Sequence, residues 1–253
     1  MKYLRALISA FSMFTAVPMP QFEWDMDHGS RMTACFGLAG AFIGGLALLL
    51  RFLLGLLPLP VPVYTVLALS GFCLLTGFLH LDGFMDVCDA LLSHRDAEGR
   101  RRILKDPHCG AFAVISLMLL ISSAIAALYS LQTREGGLAW VLILAIPTLS
   151  RSAAGLLLLT APTMPDSSLG AYFKTGNSPW VKLPLLLTGA AAAVLAGIFA
   201  GPLSLAALCS GTLLGVLTAL LAVRKLGGIN GDIAGFTVVL CEALSLLALT
   251  LIP

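Results

Sequence analysis

Polar residues are so sparse along this chain that they act as punctuation. Seven stretches, at about 33–57, 60–80, 111–131, 137–160, 181–200, 203–223 and 233–252, run almost without charge. Each approaches the roughly 20 apolar residues that a helix needs to cross a bilayer. The breaks between them carry turn chemistry: Pro58-Leu59-Pro60-Val61-Pro62, Glu135-Gly136-Gly137, Gly201-Pro202 and Gly227-Gly228-Ile229-Asn230-Gly231. The second stretch has no sharp end and can run on into an acidic segment. Ahead of the first, residues 1–20 place Lys2 and Arg5 before an apolar run that closes on Val17-Pro18-Met19-Pro20. No small-x-small cleavage site follows, so this segment is expected to stay as a short helix in or near the interface. The pattern predicts an all-α fold, a polytopic integral membrane helical bundle of about 6–7 transmembrane helices with that short N-terminal helix, forming one membrane-embedded domain over residues 1–253.

Composition supports the pattern and removes other classes. The chain is 58% hydrophobic and 11% charged, where soluble domains carry about 25% charged residues. The net charge of +2 is gathered in a few loops and makes no case for a nucleic-acid partner. Arg95, Arg100, Arg101, Arg102 and Lys105 follow the second stretch, Lys174 and Lys182 the fourth, and Arg224 and Lys225 the sixth. The alternate turns hold only Arg134, with Arg51 near one stretch end. The positive-inside rule then predicts the loops at about 80–110, 161–182 and 224–232 on the cytoplasmic face of a cell (inner) membrane. Six cysteines show no CxxC and predict neither disulfides nor zinc. HExxH, serine-triad and Walker patterns are absent.

Candidate chemistry concentrates in Leu81-Asp82-Gly83-Phe84-Met85-Asp86-Val87-Cys88-Asp89. At i, i+4 and i+7, Asp82, Asp86 and Asp89 span only about 60° of a helix circumference. Three carboxylates on one face repel each other unless a cation sits between them, and hard divalent ions such as Mg2+ take oxygen ligands while holding phosphate. A solvated acidic helix end is the plainer alternative. Gly83 would remove side-chain bulk where phosphate or metal approaches the backbone. Arg102 and Lys105 suit phosphate charge, although a topology signal with lipid-surface contact explains the same cations. Asp106-Pro107 reads either as a helix N-cap followed by proline at N1 or as chemistry. The glycines at 227–231 would expose amides to a phosphate before a helix, with Asn230 and Asp232 as phosphate or metal contacts, or they make a plain turn. Within the fourth stretch, Ser150-Arg151 needs a partner; Glu242, about 15 Å along the last helix from Asp232, is one candidate and a substrate phosphate another. A polar segment at 160–176, including Asp166, would close over a ligand or serve as an ordinary connection. His80, about 160° round the helix from Asp82, reads as structural or interfacial rather than as a ligand.

These residues resemble a known family. His80-Leu81-Asp82-Gly83-Phe84-Met85-Asp86-Val87-Cys88-Asp89 is similar to the HLDGxxDxxD signature of the cobalamin synthase (adenosylcobinamide-GDP ribazoletransferase) family. Arg102-Ile103-Leu104-Lys105-Asp106 with Gly110-Ala111-Phe112, Gly227-Gly228-Ile229-Asn230-Gly231-Asp232 and Phe14-Thr15-Ala16-Val17-Pro18-Met19-Pro20 resemble three further segments in the same order. Ala16 stands where the family has arginine, and Pro107 where it has serine. The resemblance implies a Mg2+-dependent membrane transferase that joins adenosylcobinamide-GDP to α-ribazole or α-ribazole 5′-phosphate and releases GMP. It implies Asp82, Asp86 and Asp89 as metal ligands, Arg102 and Lys105 against phosphate, and Asp89 or Asp106 as acceptor of the hydroxyl proton. The alternatives are a phospholipid synthase like the CDP-alcohol phosphotransferases, whose Ala-Arg and GxxxDxxxD elements do not follow here, and an ion-coupled transporter, whose paired broken helices are not evident. A homo-oligomer is left open.

Overall fold

The computed structural model describes residues 2–20, 22, 28–134, 137–165, 167–176 and 178–252. Glu135, Gly136 and Asp166, named above in a turn and a loop, lie outside them. Two short helices, α1 (Lys2–Phe14) and α2 (His28–Ala34), precede the long apolar α3 (Phe36–Gly55). Then come α4 (Val61–Leu75), α5 (Leu79–Leu92), α6 (Ala97–Ile103), α7 (Ala111–Gln132) and α8 (Trp140–Thr160). After α9 (Ser168–Tyr172) and a 3-10 turn at Pro179–Lys182 follow α10 (Leu183–Ala200), α11 (Pro202–Leu226) and α12 (Gly231–Thr250). Six of these helices are long and apolar enough to cross a membrane among the described residues, and the pair α4–α5 makes a seventh if taken as one broken span. The protein is a multi-pass membrane bundle, in agreement with the hydrophobic pattern.

Lipid tails are as apolar as leucine, so close backbone approach rather than the hydrophobic effect holds such helices together. Small residues permit it here. A Cβ on Gly44 of α3 would lie 2.8 Å from the Leu144 Cα of α8, and Gly37 and Gly40 leave no more room. On α11, Gly211 and Gly215 abut Ser245 and Cys241 of α12, with 2.5 Å from a Gly211 Cβ to the Ser245 amide nitrogen. In α8 and α12, 72% and 61% of the most apolar stretch is buried inside the protein, against 17–39% in the other spans. These two helices form the centre, and the others face lipid.

The N-terminal helix is too short to cross. It buries Ala6, Ala10 and Phe14, one stripe at i, i+4 and i+8, against α2 and α3.

The second predicted span differs from expectation. It stops at Leu75, and the chain turns by 91° into the aspartate helix. Gly77 and Phe78 both adopt φ of +60° there. Glycine takes that conformation freely, whereas a phenylalanine in it carries strain of about 1–2 kcal/mol. Thr76 Oγ1 donates to Cys73 O (2.9 Å) and closes the end of α4. Gly77 is the one helix-disfavouring residue in Leu75-Thr76-Gly77-Phe78, and propensity gives neither the angle nor the direction of the turn.

Candidate active site on the turned helix

The turn aims α5 at the start of α12. Phe84 stacks on Phe236 with ring centroids 5.7 Å apart, and Gly83 lies against Asp232. A Cβ at Gly83 would stand 2.8 Å from both Asp232 Cα and Asp232 O. Gly83 therefore has a different role from the one its sequence context suggested: the group approaching its backbone is another backbone, not a ligand. Gly83→Val is expected to force α5 and α12 apart, at a cost of about 1–3 kcal/mol for overpacking. It should also lower activity by moving Asp232; a thermal-unfolding midpoint in detergent, together with a turnover assay, checks both.

That approach makes the three-aspartate face a four-carboxylate cluster. The charges acting on Asp86 are those of Asp82, Asp232 and Asp89. Asp82 is exposed, and Asp86, Asp89 and Asp232 are half-buried. The ion pairs Arg102–Glu98, His108–Asp106 and Arg151–Glu242 draw on other acids and include none of these four. Among the described residues no three His, Cys, Asp or Glu converge tightly enough to hold an ion by themselves.

Local structure explains why each acid stands where it does. Asn230 is the N-cap of α12: its Oδ1 accepts from the Ile233 amide (3.0 Å) while its Nδ2 donates to Asp232 Oδ2 (2.6 Å). Asn230 thus orients Asp232 from below. Asp89 sits over the start of α7, where Gly110 is the N-cap, and any Cβ at Gly110 would overlap the Asp89 carboxylate. A carboxylate at a helix N-terminus is favoured by the helix dipole.

Three further segments are placed by their hydrogen bonds. In the glycine loop, the amides of residues 227–229 have partners within the protein. The Gly227 and Gly228 amides both donate to Val223 O (3.0 Å each), closing the end of α11, and the Ile229 amide donates to Pro162 O (2.7 Å). The Met164 amide returns a bond to Ile229 O (3.0 Å), so the polar segment after α8 is tied to the glycine loop as a short parallel bridge. Gly228, at φ of +149°, is required because a side chain would overlap Met164. Asp106 does not cap α7. It accepts from the His108 amide (3.0 Å) and pairs with His108 Nδ1 (2.6 Å), and these hydrogen bonds hold its carboxyl below the ordinary range. An exposed carboxylate made less basic is a poor proton acceptor, and Asp106 is not among the charges facing Asp86. Arg102 pairs with Glu98 (2.8 Å), with side chains 76% and 68% exposed.

Lys105 is exposed in the turn after α6, its amide bonded to Arg102 O (3.1 Å). The arginine that reaches the glycine loop is Arg101, whose Nη1 would be 2.9 Å from a Cβ on Gly227. Three consecutive arginines hide this in sequence, although Glu98 four residues before Arg102 was a readable sign that Arg102 has its own partner. Lys174 Nζ donates to Ala161 O at the end of α8, a helix C-terminus where a cation is favoured. Arg151, fully buried, pairs with Glu242 through Nη1 (2.6 Å), and Ser150 Oγ donates to the same carboxylate oxygen (3.0 Å).

A broken membrane helix that brings three carboxylates beside a fourth at the end of a tied glycine loop defines a polytopic membrane protein with an oxygen-rich centre at one end of its bundle. The chain belongs to the cobalamin-5-phosphate synthase family, an enzyme family whose pattern matches residues 6–250. It is similar to the adenosylcobinamide-GDP ribazoletransferase of Clostridium perfringens, 36% identical over 250 residues that cover 99% of each chain. The protein of the same name from Geobacillus kaustophilus is 36% identical over 239 residues, covering 89% of this chain and 87% of its own. That of Lachnoclostridium phytofermentans is 31% identical over 263 residues, covering 99% and 95%. No solved structure matches.

Proposed function

We propose that this protein joins adenosylcobinamide-GDP to α-ribazole or α-ribazole 5′-phosphate, giving adenosylcobalamin or its 5′-phosphate and GMP, with Mg2+ as cofactor, at the cytoplasmic face of the inner membrane. The observation that carries the reading is the four-carboxylate cluster of Asp82, Asp86, Asp89 and Asp232 in a chain of this family. Like charges this close destabilise a fold unless a cation offsets them. The donor set is all hard oxygen, and among the described residues no three His, Cys, Asp or Glu side chains converge enough to hold an ion alone. Magnesium fits such a site, because it keeps several positions for water and substrate phosphate oxygens and usually takes one or two carboxylates. Asp82, Asp86 and Asp89 would hold it, with Asp232 beside them. When bound, the ion supplies charge stabilisation to the pyrophosphate.

The chain's own residues account for the rest. The ribazole hydroxyl attacks the cobinamide-side phosphorus, the phosphoanhydride bond breaks, and GMP leaves with the bonding pair. The hydroxyl proton passes to a carboxylate, and Asp89 is better placed than Asp106, standing in the cluster and free of a histidine partner. Arg101 on the glycine loop is the best-placed arginine to counter phosphate charge, with Lys105 at the same end. The Arg- and Lys-bearing loops lie at the carboxylate end, which under the positive-inside rule is cytoplasmic.

Purified protein incubated with Mg2+, adenosylcobinamide-GDP and α-ribazole is expected to release GMP, and EDTA in excess should abolish that release. Folded protein that yields no GMP with verified substrates would sink the reading.

A further inference from the structure

An open groove of about 640 Å3 lies between the ends of α8 and α11, and none of the four carboxylates lines it. Leu157, Leu220 and Val223 make its wall apolar, Thr160 adds one hydroxyl, and Arg224 is its one charged side chain. Ala161 and Pro162 after α8, with Gly227 and Gly228 of the glycine loop, complete it. Two further cations border the groove: Arg101 Nη1 stands against Gly227, and Lys174 Nζ donates to Ala161 O. Among the described residues no acid lines it, and Arg224 enters no ion pair. The Gly227 and Gly228 amides are already bonded to Val223 O, so an anion here is met by side chains and not by backbone.

The groove opens onto the flank of α11. Leu213, Leu217 and Leu220 are exposed there, and with Arg224 they repeat at i, i+4, i+7 and i+11, within about 60° of one helix face. From Leu213 to Arg224 this stripe climbs about 17 Å at 1.5 Å per residue, close to half of a hydrocarbon core about 30 Å thick. It therefore matches the depth of one leaflet, with the arginine at headgroup level.

One ligand chemistry answers all of these features. A free phosphate pairs with the cations but gains nothing from Leu157, Leu220 and Val223. A neutral lipid fills the apolar wall and leaves Arg224 without an anion. Phosphatidylcholine brings its own quaternary ammonium to a rim that already holds three cations, and like charges oppose each other. An anionic phospholipid supplies both a phosphate for Arg224 and an acyl chain for the leucine stripe, and basic pockets between membrane helices select such headgroups. Gly227 and Gly228 border the groove, and Asn230, which orients Asp232, follows two residues later. An occupied groove thus braces the loop that leads to the fourth carboxylate.

We propose that this groove holds an anionic phospholipid of the adjacent leaflet, its phosphate on Arg224 and one acyl chain along Leu220, Leu217 and Leu213. The test reconstitutes the protein in phosphatidylcholine bilayers containing phosphatidylglycerol, extracts it in mild detergent and counts the retained lipid by native mass spectrometry. The wild type is expected to retain phosphatidylglycerol in preference to phosphatidylcholine. Arg224→Gln is expected to weaken that retention about fivefold, the scale of one cation against an anionic lipid. Leu220→Trp, which fills the groove without touching its charge, should lower retention as well. Lys225→Gln removes a neighbouring cation outside the groove and should stay within about twofold of the wild type. A wild type without preference overturns the site, and so do equal losses in Arg224→Gln and Lys225→Gln, which signal a diffuse surface potential. If Arg224→Gln keeps its lipid but raises KM for α-ribazole 5′-phosphate and not for α-ribazole, the cations serve a substrate phosphate and the lipid assignment falls. Lipid counting needs no turnover, so a failure of the transferase reading leaves this test standing.

Discussion

Asp86→Asn is expected to lower GMP release by about 10²- to 10³-fold, the usual scale for removing one electrostatic stabiliser of a transition state, while leaving thermal stability unchanged or slightly raised. Both halves follow from the same geometry. Asp86 faces Asp82, Asp89 and Asp232, and its charge therefore opposes folding of the metal-free protein through repulsion. Asparagine keeps the shape and removes the repulsion. It also removes the negative charge that would hold a cation against substrate phosphate. A structural carboxylate would behave in the opposite way, losing stability first and activity second. The measurement is GMP by chromatography beside an unfolding midpoint in detergent, each with and without Mg2+. Full activity in Asp86→Asn removes the metal-site assignment.

The second large effect is expected at the buried ion pair, and it should be asymmetric. Breaking a buried pair by removing one partner costs about 3–5 kcal/mol, because the survivor is left as an uncompensated charge. Here the survivors differ. Arginine cannot give up its proton within a protein, whereas a carboxyl can neutralise itself by taking one up. Glu242→Leu leaves Arg151 charged and fully buried, with Nε and Nη2 unpartnered and Nη1 holding only long contacts to Pro147 O (3.4 Å) and Ser150 Oγ (3.5 Å), so it should show the full loss. Arg151→Met leaves Glu242, which is 14% exposed and still accepts from Ser150, so its loss should be smaller. The double variant should recover part of the loss, since neither charge remains. Unfolding midpoints of the three variants decide it, and equal losses in the two single variants would contradict this account of the pair.

Much of the architecture was legible because a bilayer permits little else. Where water is absent, backbone groups must be paired within the segment, so long apolar runs become helices. The runs at 111–131, 181–200 and 233–252 reappear as Ala111–Gln132, Leu183–Ala200 and Gly231–Thr250 within a few residues. The i, i+4, i+7 spacing also placed Asp82, Asp86 and Asp89 on one helix, as observed for α5. Arg151 with Glu242 was readable too, since an intramembrane charge demands a partner.

What sequence did not disclose are relations between segments. No local signal showed that α4 and α5 part at 91°, that Gly83 exists to admit Asp232, or that Arg101 meets the glycine loop. The amides of Gly227, Gly228 and Ile229 looked available to phosphate until the end of α11 and the segment after α8 were seen to occupy them.

Apolar run lengths, the phase of three aspartates and the need to neutralise a buried arginine are properties of one helix at a time. Those could be read from residue order, because helical periodicity and the bilayer act locally. The fourth carboxylate and the arginine on the glycine loop arise where separate helices meet. They depend on how the helices pack, because glycines that let backbones approach within van der Waals contact set distances that no spacing along the chain encodes.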